Sequence, residues 1–235
     1  SATNCYKQVK ISMLNTRTRG VKSFVTTVTP DGLEDTISAG ALAIKVFDAV
    51  GQPVAGAQVH IENLDSTPQI ILDRTTDASG NWTEVGLPAS VNGYHISVSK
   101  SNFSTDQTYP ITADNPNPIK PDSTIVIGEV TQVSFSIDEL STLSIQTLSA
   151  ACQSLSGVDV NLSGAKLIGT SPDVKKYDND LTSASGQIEL NDLEWDTYTP
   201  ELLTGQNLMV LGTSPIQEIS VLPGSTQTYT MVLGP

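Results

Sequence analysis

Histidine and cysteine are scarce, with two of each among the 235 residues. His60 and His95 stand alone, without the HExxH spacing of a zinc site, and the GxSxG, GxGxxG and GxxxxGK[ST] motifs are absent. Metal-assisted hydrolysis needs ligands that converge, and serine catalysis needs a base beside the nucleophile. The sequence therefore predicts a protein with no catalytic residues and no required cofactor.

Charged residues are also few, at 16% of the chain, against about 25% in an average soluble protein. The net charge is -13, and it divides into +2 for residues 1–37, -8 for residues 38–139 and -7 for residues 140–235. Acidic surfaces repel phosphate backbones, so nucleic acid is a poor partner. The basic N-terminal segment is expected to contact an acidic surface, either of another protein or of this chain itself.

Long apolar runs are missing, and none approaches the roughly 18 residues of a membrane span. The chain opens on polar residues, SATNCYKQ, without a leader peptide. If the protein is exported or anchored, those segments are expected to lie outside these residues.

Short runs with a period of two replace helical periodicity, and Gly, Pro, Asn and Asp separate them. Leu42, Ile44 and Val46, for example, alternate with Ala43 and Lys45. Such alternation places one face of a strand inward and the other in water. Because aromatic residues make up 5% of the chain, the core must consist mainly of Val, Ile, Leu and Ala. The prediction is an all-β protein built from antiparallel sandwiches.

Internal duplication is the most informative pattern in the sequence. Three blocks recur in the same order, which makes chance an unlikely explanation and predicts two copies of one domain, residues 38–139 and 140–235, with little linker between them. Copies of about 100 residues suit a seven-strand sandwich. The matched blocks are 41–61 with 142–162, 76–80 with 182–186, and 125–137 with 220–232.

Residues 1–37 lie outside the repeat and read as a β-hairpin. KQVKISMLN and VKSFVTTVT flank TRTRG, with Gly20 in the turn. A two-stranded hairpin is marginal alone in water, so this one needs a surface to pack on. A second segment, residues 110–124, carries four prolines and cannot be an interior strand. It is expected to be a surface crossover from one sheet to the other.

The first copy resembles the carboxypeptidase regulatory-like domain in three stretches: VFDAVGQPVAGAQVHIEN, TTDASGNWTEVGLP and GYHISVSKSNF. That domain is similar in fold to the Cna protein B-type repeat and to transthyretin-like sandwiches. The resemblance covers residues 41–103 and implies non-catalytic, prealbumin-like (Ig-like) sandwiches of bacterial cell-surface or secreted proteins. More loosely, a basic segment ahead of such domains resembles the soluble part of prepilin-like surface proteins. The second copy departs from the pattern, since Cys152 stands where the first has Gly51.

Some B-type repeats carry a Lys–Asn isopeptide bond, and the residues here argue against one. Lys45 lies in the first strand of the first copy but on its polar face, and residues 132–138 contain no Asn. The second copy has Gln146 in place of that lysine, so it lacks a nucleophile.

Two functions follow as expectations. The first is a structural module of the cell surface or of a pilus-like appendage, assembling with itself or with other subunits. The alternative is an adhesin or carbohydrate-binding module that uses loops at the sandwich ends. Trp82, Trp195, Tyr94 and Tyr198 are the aromatic residues that a sugar platform would use, although the matching positions of Tyr94 and Tyr198 favour packing in the core.

Calcium is the one cation that the sequence suggests. Asp173, Asp178 and Asp180 crowd one loop of the second copy without EF-hand spacing. A solvated loop is the alternative interpretation, and the expectation is no metal site.

Cys5 and Cys152 are expected to form a disulfide. Cys152 takes the turn position of Gly51, so it should be exposed, and a bond to Cys5 would fix the N-terminal hairpin to the second copy. Loop-entropy models give such a closure about 4–5 kcal/mol. Two free thiols, or a bond between chains, are the alternatives.

Overall fold

The structure is a computed structural model that describes residues 7–14, 21–28, 39–216 and 218–235. These residues form twenty strands and no helix, which confirms the predicted all-β fold class. None of them forms a helix of the length and hydropathy needed to cross a membrane.

The N-terminal hairpin is present as predicted. Strands β1 (Lys7–Leu14) and β2 (Val21–Val28) pair antiparallel, with Lys7 opposite Val28 and Leu14 opposite Val21. Within the described part of the chain they form a two-stranded sheet of their own.

The first sandwich has two sheets, in the orders β10-β3-β6 and β5-β4-β7-β8, and β9 also pairs with β7. Alternate residues of β3 point inward, and Leu42, Ile44 and Val46 are at most 2% exposed, as their period of two predicted. The strands are β3 (Ala39–Phe47), β4 (Gln58–Asn63), β5 (Ile70–Thr75), β6 (Asn81–Pro88), β7 (Ser90–Ser99), β8 (Asp106–Gln107), β9 (Ser123–Ile125) and β10 (Val130–Ser136).

The second sandwich has the sheet orders β16-β11-β20-β18 and β15-β12-β17-β19, and β13 and β14 form a small separate hairpin. Its buried residues form a cluster distinct from that of the first sandwich. The boundaries proposed at residues 37/38 and 139/140 remain predictions. The strands are β11 (Ser141–Ser149), β12 (Asp159–Gly164), β13 (Leu167–Gly169), β14 (Val174–Lys175), β15 (Asp178–Thr182), β16 (Gln187–Leu193), β17 (Asp196–Leu202), β18 (Met209–Ser214), β19 (Ile219–Val221) and β20 (Thr226–Gly234).

In each sandwich the first and last strands lie side by side and run parallel. Strand β10 pairs with β3, and β20 pairs with β11. The backbone bonds that open the two ladders also correspond, because Ala41 N–H donates to Glu129 O and Thr142 N–H donates to Ser225 O, both at 2.9 Å.

This correspondence corrects the third repeat block by one residue. The sequence alignment matched Ile125 with Ser220, whereas the ladders match Ile125 with Val221. Both Ile125 and Val221 are 2% exposed, while Ser220 is exposed. A slip of one residue moves every side chain of a strand to the opposite face, so the difference decides which residues form the core.

The proline-rich segment is also corrected. It does not connect the two sheets, because β8 before it and β9 after it both pair with β7. Its end is fixed by a buried network, in which Thr108 Oγ1 donates to Asp122 Oδ1 at 2.7 Å and His95 Nδ1 lies 2.9 Å from the same oxygen. Between these fixed ends, residues 112–120 extend to the second sandwich.

Candidate functional site

The two sandwiches meet where the proline-rich segment contacts the β13–β14 hairpin. Ile119 N–H donates to Ile168 O, and Thr170 N–H donates to Asn117 O, both at 3.0 Å. Pro118 and Gly169 form the antiparallel bridge between these two bonds. We call this contact the junction. A pair of backbone hydrogen bonds fixes both distance and direction, so the junction is more specific than an apolar contact.

Asparagine side chains reinforce the junction. Asn117 Nδ2 donates to Thr170 O and Ser171 O, each at 3.2 Å, and Asn115 Nδ2 donates to Ile168 O at 3.3 Å. A methyl group at Gly169 would overlap the Asn115 side-chain oxygen. An alanine at position 169 would therefore require the Asn115 side chain to move out of the junction, although the backbone conformation of Gly169 is one that other residues also adopt.

Lysines and carboxylates converge beside the junction. Glu194 Oε1 accepts from Lys166 Nζ at 2.8 Å, and its Oε2 lies 2.6 Å from Lys176 Nζ. Lys176 Nζ also donates to Thr105 O at 2.8 Å, which links the two sandwiches. On the other side, Lys120 pairs with Asp106.

Burial controls the ionisation of these groups. It lowers the pKa of the Lys166 ammonium group, and the hydrogen bond to Glu194 opposes this effect. Burial, together with the negative charges of Asp106 and Glu194, raises the pKa of Tyr109 to about 12. The Lys166 ammonium also lies 3.1 Å from the centre of the Trp195 ring, a cation–π contact that strengthens when water is excluded.

The cleft beside the junction has a volume of about 210 Å³ and is lined from both sandwiches. Of the seven Lys and Arg residues after position 38, three line it, namely Lys120, Lys166 and Lys176. The sandwiches carry net charges of -8 and -7, so the scarce positive charge is concentrated where two acidic bodies meet. This placement reduces the repulsion between them.

The four aromatic residues of the possible sugar platform do not come together. Tyr94 and Tyr198 are at most 1% exposed, and their hydroxyls donate to Pro88 O and Glu194 O, each at 2.8 Å. Trp82 and Trp195 belong to different sandwiches, and each stacks with a cation of its own. The interpretation of both tyrosines as core residues is confirmed.

The calcium candidates are only partly brought together. Asp178 Oδ1 and Asp180 Oδ1 both accept from Asn161 Nδ2, at 2.8 and 2.9 Å, whereas Asp173 lies in the turn before β14. Among the described residues, no group of three or more His, Cys, Asp or Glu side chains is arranged to hold a metal ion. The expectation that the protein needs no metal remains a prediction.

Cys152 lies in an exposed turn, and its thiol forms no disulfide within the described residues. Its N–H donates to Ser149 O, as Gly51 N–H donates to Asp48 O, and both residues have positive φ. Cys5 lies outside the described residues, so the structure gives the Cys5–Cys152 disulfide no support, and the bond remains a prediction.

The positions for an isopeptide bond are now defined. Lys45 is exposed, and its partner across the ladder is Ser134. In the second sandwich Gln146 faces Thr230. Neither pair offers both an amine and a side-chain amide or carboxyl group.

The fold places the described chain among β-sandwich proteins. Residues 41–136 match the family model of the carboxypeptidase regulatory-like domain, so the first sandwich is similar to that family, as its sequence motifs indicated. The match covers less than half of the chain, and the second sandwich lies outside it. No curated protein matches the chain.

Solved structures with similar arrangements include surface and pilus proteins. The TIE protein of Bacillus anthracis is 10% identical with a TM-score of 0.32, over 97% of this chain and 41% of that one. The shaft pilin SpaA of Lactobacillus rhamnosus GG is 13% identical with a TM-score of 0.32, over 84% and 99%. The minor pilin GBS52 of Streptococcus agalactiae is 17% identical with a TM-score of 0.34, over 83% and 97%. This chain thus spans less than half of the TIE protein, and likeness at these scores is no evidence of shared function.

Proposed function

We propose that the chain is a non-catalytic structural module of an extracellular surface, in which the two sandwiches act as one stiff unit. The observation that carries the proposal is the junction, where backbone bonds, asparagine amides and lysine–carboxylate pairs connect the sandwiches. A flexible pair of domains would not need directional contacts at this position, since interfaces within a chain allow relative motion unless they are specific or large.

The match of residues 41–136 to the model of the carboxypeptidase regulatory-like domain supports the proposal. The histidines support it as well, because each is engaged in holding strands together. His60 Nδ1 lies 2.7 Å from Asp73 on the neighbouring strand, and His95 belongs to the network around Asp122. The Thr108 hydroxyl lies 3.5 Å from His95 Nδ1, but it is buried and donates to Asp122 Oδ1, so it too is engaged in the network.

Stiffness is measurable with a matched pair of variants. Gly169→Ala introduces a methyl group that overlaps Asn115, while Gly212→Ala is the control, because a Cβ at position 212 meets no atom within 4 Å. Backbone amide relaxation by NMR should give one rotational correlation time for both sandwiches in the wild type and in Gly212→Ala. In Gly169→Ala the two sandwiches should tumble separately and faster.

Two results would contradict the proposal. Independent tumbling of the sandwiches in the wild-type protein would show that the junction does not make them one unit. Hydrolytic turnover that survives purification to homogeneity, and that is lost on substitution of a described residue, would show that the chain is an enzyme.

A further inference from the structure

The two sandwiches differ at one edge, and the difference is informative because the rest of the fold is repeated. In the second sandwich the last strand, β20, lies between β11 and the additional strand β18. In the first sandwich the last strand, β10, pairs with β3 and ends the sheet. The second copy therefore shows that this edge of the fold accepts an antiparallel strand.

The sequence explains why the first copy leaves its edge open. Strand β18 comes from the segment between β17 and β19, and the equivalent segment of the first copy is the proline-rich one. Proline lacks the N–H that a ladder needs. That segment turns instead to the second sandwich and forms the junction, and within the described residues it adds no strand to the edge of β10.

The backbone of β10 is available along this edge. Ile137 N–H donates to Phe47 O toward β3, and Ser136 N–H donates outward to Asp106 Oδ2 at 2.9 Å. Since N–H groups alternate along a strand, those of Val130, Gln132 and Ser134 point to the open edge. Within the described residues these three N–H groups have no partner.

A groove runs beside the edge and has room for a further strand. It measures about 470 Å³ and lies between residues 131–134 and residues 119–124. Ile119 is 57% exposed there, and Val133 is partly buried. An added strand would thus gain backbone bonds on one side and cover apolar surface with the other.

We infer that the open edge of β10 accepts the N-terminal hairpin, residues 7–28, of a second copy, so that copies join head to tail. The inference rests on the proposed structural function and specifies how the module assembles. Within the described residues neither strand of the chain's own hairpin pairs with β10, and we assign the edge to the hairpin of a neighbouring copy.

The length and the charge of the hairpin both fit this role. Strands β1 and β2 have eight residues each, enough to span the seven residues of β10. Residues 1–28 contain five basic and no acidic residues, whereas the rest of the chain carries a net charge of -18 (-13 minus +5). Opposite charges favour hairpin docking on another copy and oppose sandwich-to-sandwich contact.

A contact between two different surfaces that does not close a ring extends into a linear array. The hairpin lies at one end of the sequence and the β10 edge lies on the first sandwich, so each copy offers one donor and one acceptor. Assembly of this kind fits an appendage-like role.

The test uses proline to block the edge. Ser134→Pro removes an N–H that points to the open edge and leaves the ladder with β3 intact. Thr83→Pro is the matched control on β6, the other edge strand of the same sheet. Val46 N–H donates to Gly80 O, so the even-numbered residues of β3 direct their backbone groups toward β6. The N–H of Thr83, which lies opposite Ala43, therefore points away from β3. Both variants should keep the wild-type melting temperature within a few degrees, and circular dichroism verifies this.

Analytical ultracentrifugation of the full chain then reads out assembly. The wild type and Thr83→Pro should form larger species as concentration rises, and Ser134→Pro should stay monomeric at the same concentrations. Assembly of Ser134→Pro like the wild type would overturn the inference, and so would a wild type that stays monomeric at all concentrations. Neither result affects the stiffness of the single module, which the amide relaxation measurement tests separately.

Cross-linking identifies the donor. In a background with Cys5→Ser and Cys152→Ser, one chain carries Ser134→Cys and a second carries Ser23→Cys. Oxidation of the mixture should give a disulfide-linked species of twice the chain mass. If a chain that carries both substitutions links only within itself, its own hairpin occupies the edge and the inference of a second copy is wrong.

Discussion

Replacing Tyr94 or Tyr198 with phenylalanine removes one hydroxyl from the core of one sandwich and leaves the ring in place. Each hydroxyl donates to a backbone carbonyl at 2.8 Å, that of Pro88 at the end of β6 or that of Glu194 just after β16. A tyrosine that bonds back to the preceding corner is a recurrent feature of β-sandwiches. The substitution leaves the carbonyl of Pro88 or Glu194 without this donor.

The size of the effect follows from burial. The rings are 0% and 1% exposed, but the hydroxyl ends are only part-buried, so water can partly replace the lost bond. The expected loss is therefore near the net value of a hydrogen bond, about 1 kcal/mol, and below the roughly 3 kcal/mol of a fully stranded group. For a sandwich of about 100 residues, 1 kcal/mol lowers the melting temperature by roughly 4–8 °C.

Differential scanning calorimetry and urea titration measure these losses. Tyr229→Phe is the control, because Tyr229 is 5% exposed and its hydroxyl has no hydrogen bond within the described residues. We expect its melting temperature to stay within about 2 °C of the wild type. If Tyr94→Phe and Tyr198→Phe changed stability no more than Tyr229→Phe, the reasoning that their hydroxyls fix the corners would be refuted.

Two further predictions concern titration and redox state. The hydrogen bond to Asp73 raises the pKa of His60 above 6.5, so the pair stabilises the fold fully below pH 6.5 and loses this contribution as pH rises through the folded-state pKa. An NMR titration should show the raised value and its fall toward 6.5 in Asp73→Asn, and an unchanged value in the variant would contradict the assignment. For the cysteines we still expect a Cys5–Cys152 peptide in a non-reducing digest, and recovery of the two peptides unlinked would discard the bond.

The sequence was sufficient for features that repeat along the chain. Period-two alternation identified β3 and its inward residues, and the duplication identified the equivalent turns at Gly51 and Cys152. It also placed Tyr94 and Tyr198 correctly, because buried tyrosines after matching turns occur in both copies. These features are local, or are local patterns seen twice.

The register of the last strands required a cue that the alignment did not use. Gly128 and Gly224 both have positive φ, and matching these two glycines gives the register of the structure. The alignment matched stretches of apolar and polar residues instead. An error of one residue in such a match assigns every side chain of the strand to the wrong face. A glycine that the backbone requires is the better anchor.

The junction could not be derived from the sequence, since its partners lie about fifty residues apart and share no pattern. A weak signal existed in Lys175 and Lys176, two adjacent lysines in a chain with few charges, and in the asparagines beside Pro116 and Pro118. Neither signal identifies the residues of the other sandwich that are contacted. Contacts between the two sandwiches depend on how the sandwiches are placed relative to each other, and this placement is a property of the whole chain.

The parallel pairing of first and last strands has a mechanical consequence. The chain enters each sandwich along β3 or β11 and leaves along β10 or β20, and these strands run the same way. A pull on the two chain ends therefore slides the paired strands lengthwise past each other. The load falls at once on ladders of seven and eight residue pairs, whereas strands pulled apart from one end would separate one bond at a time. Each sandwich is thus oriented to resist tension along the chain without a covalent crosslink between its terminal strands.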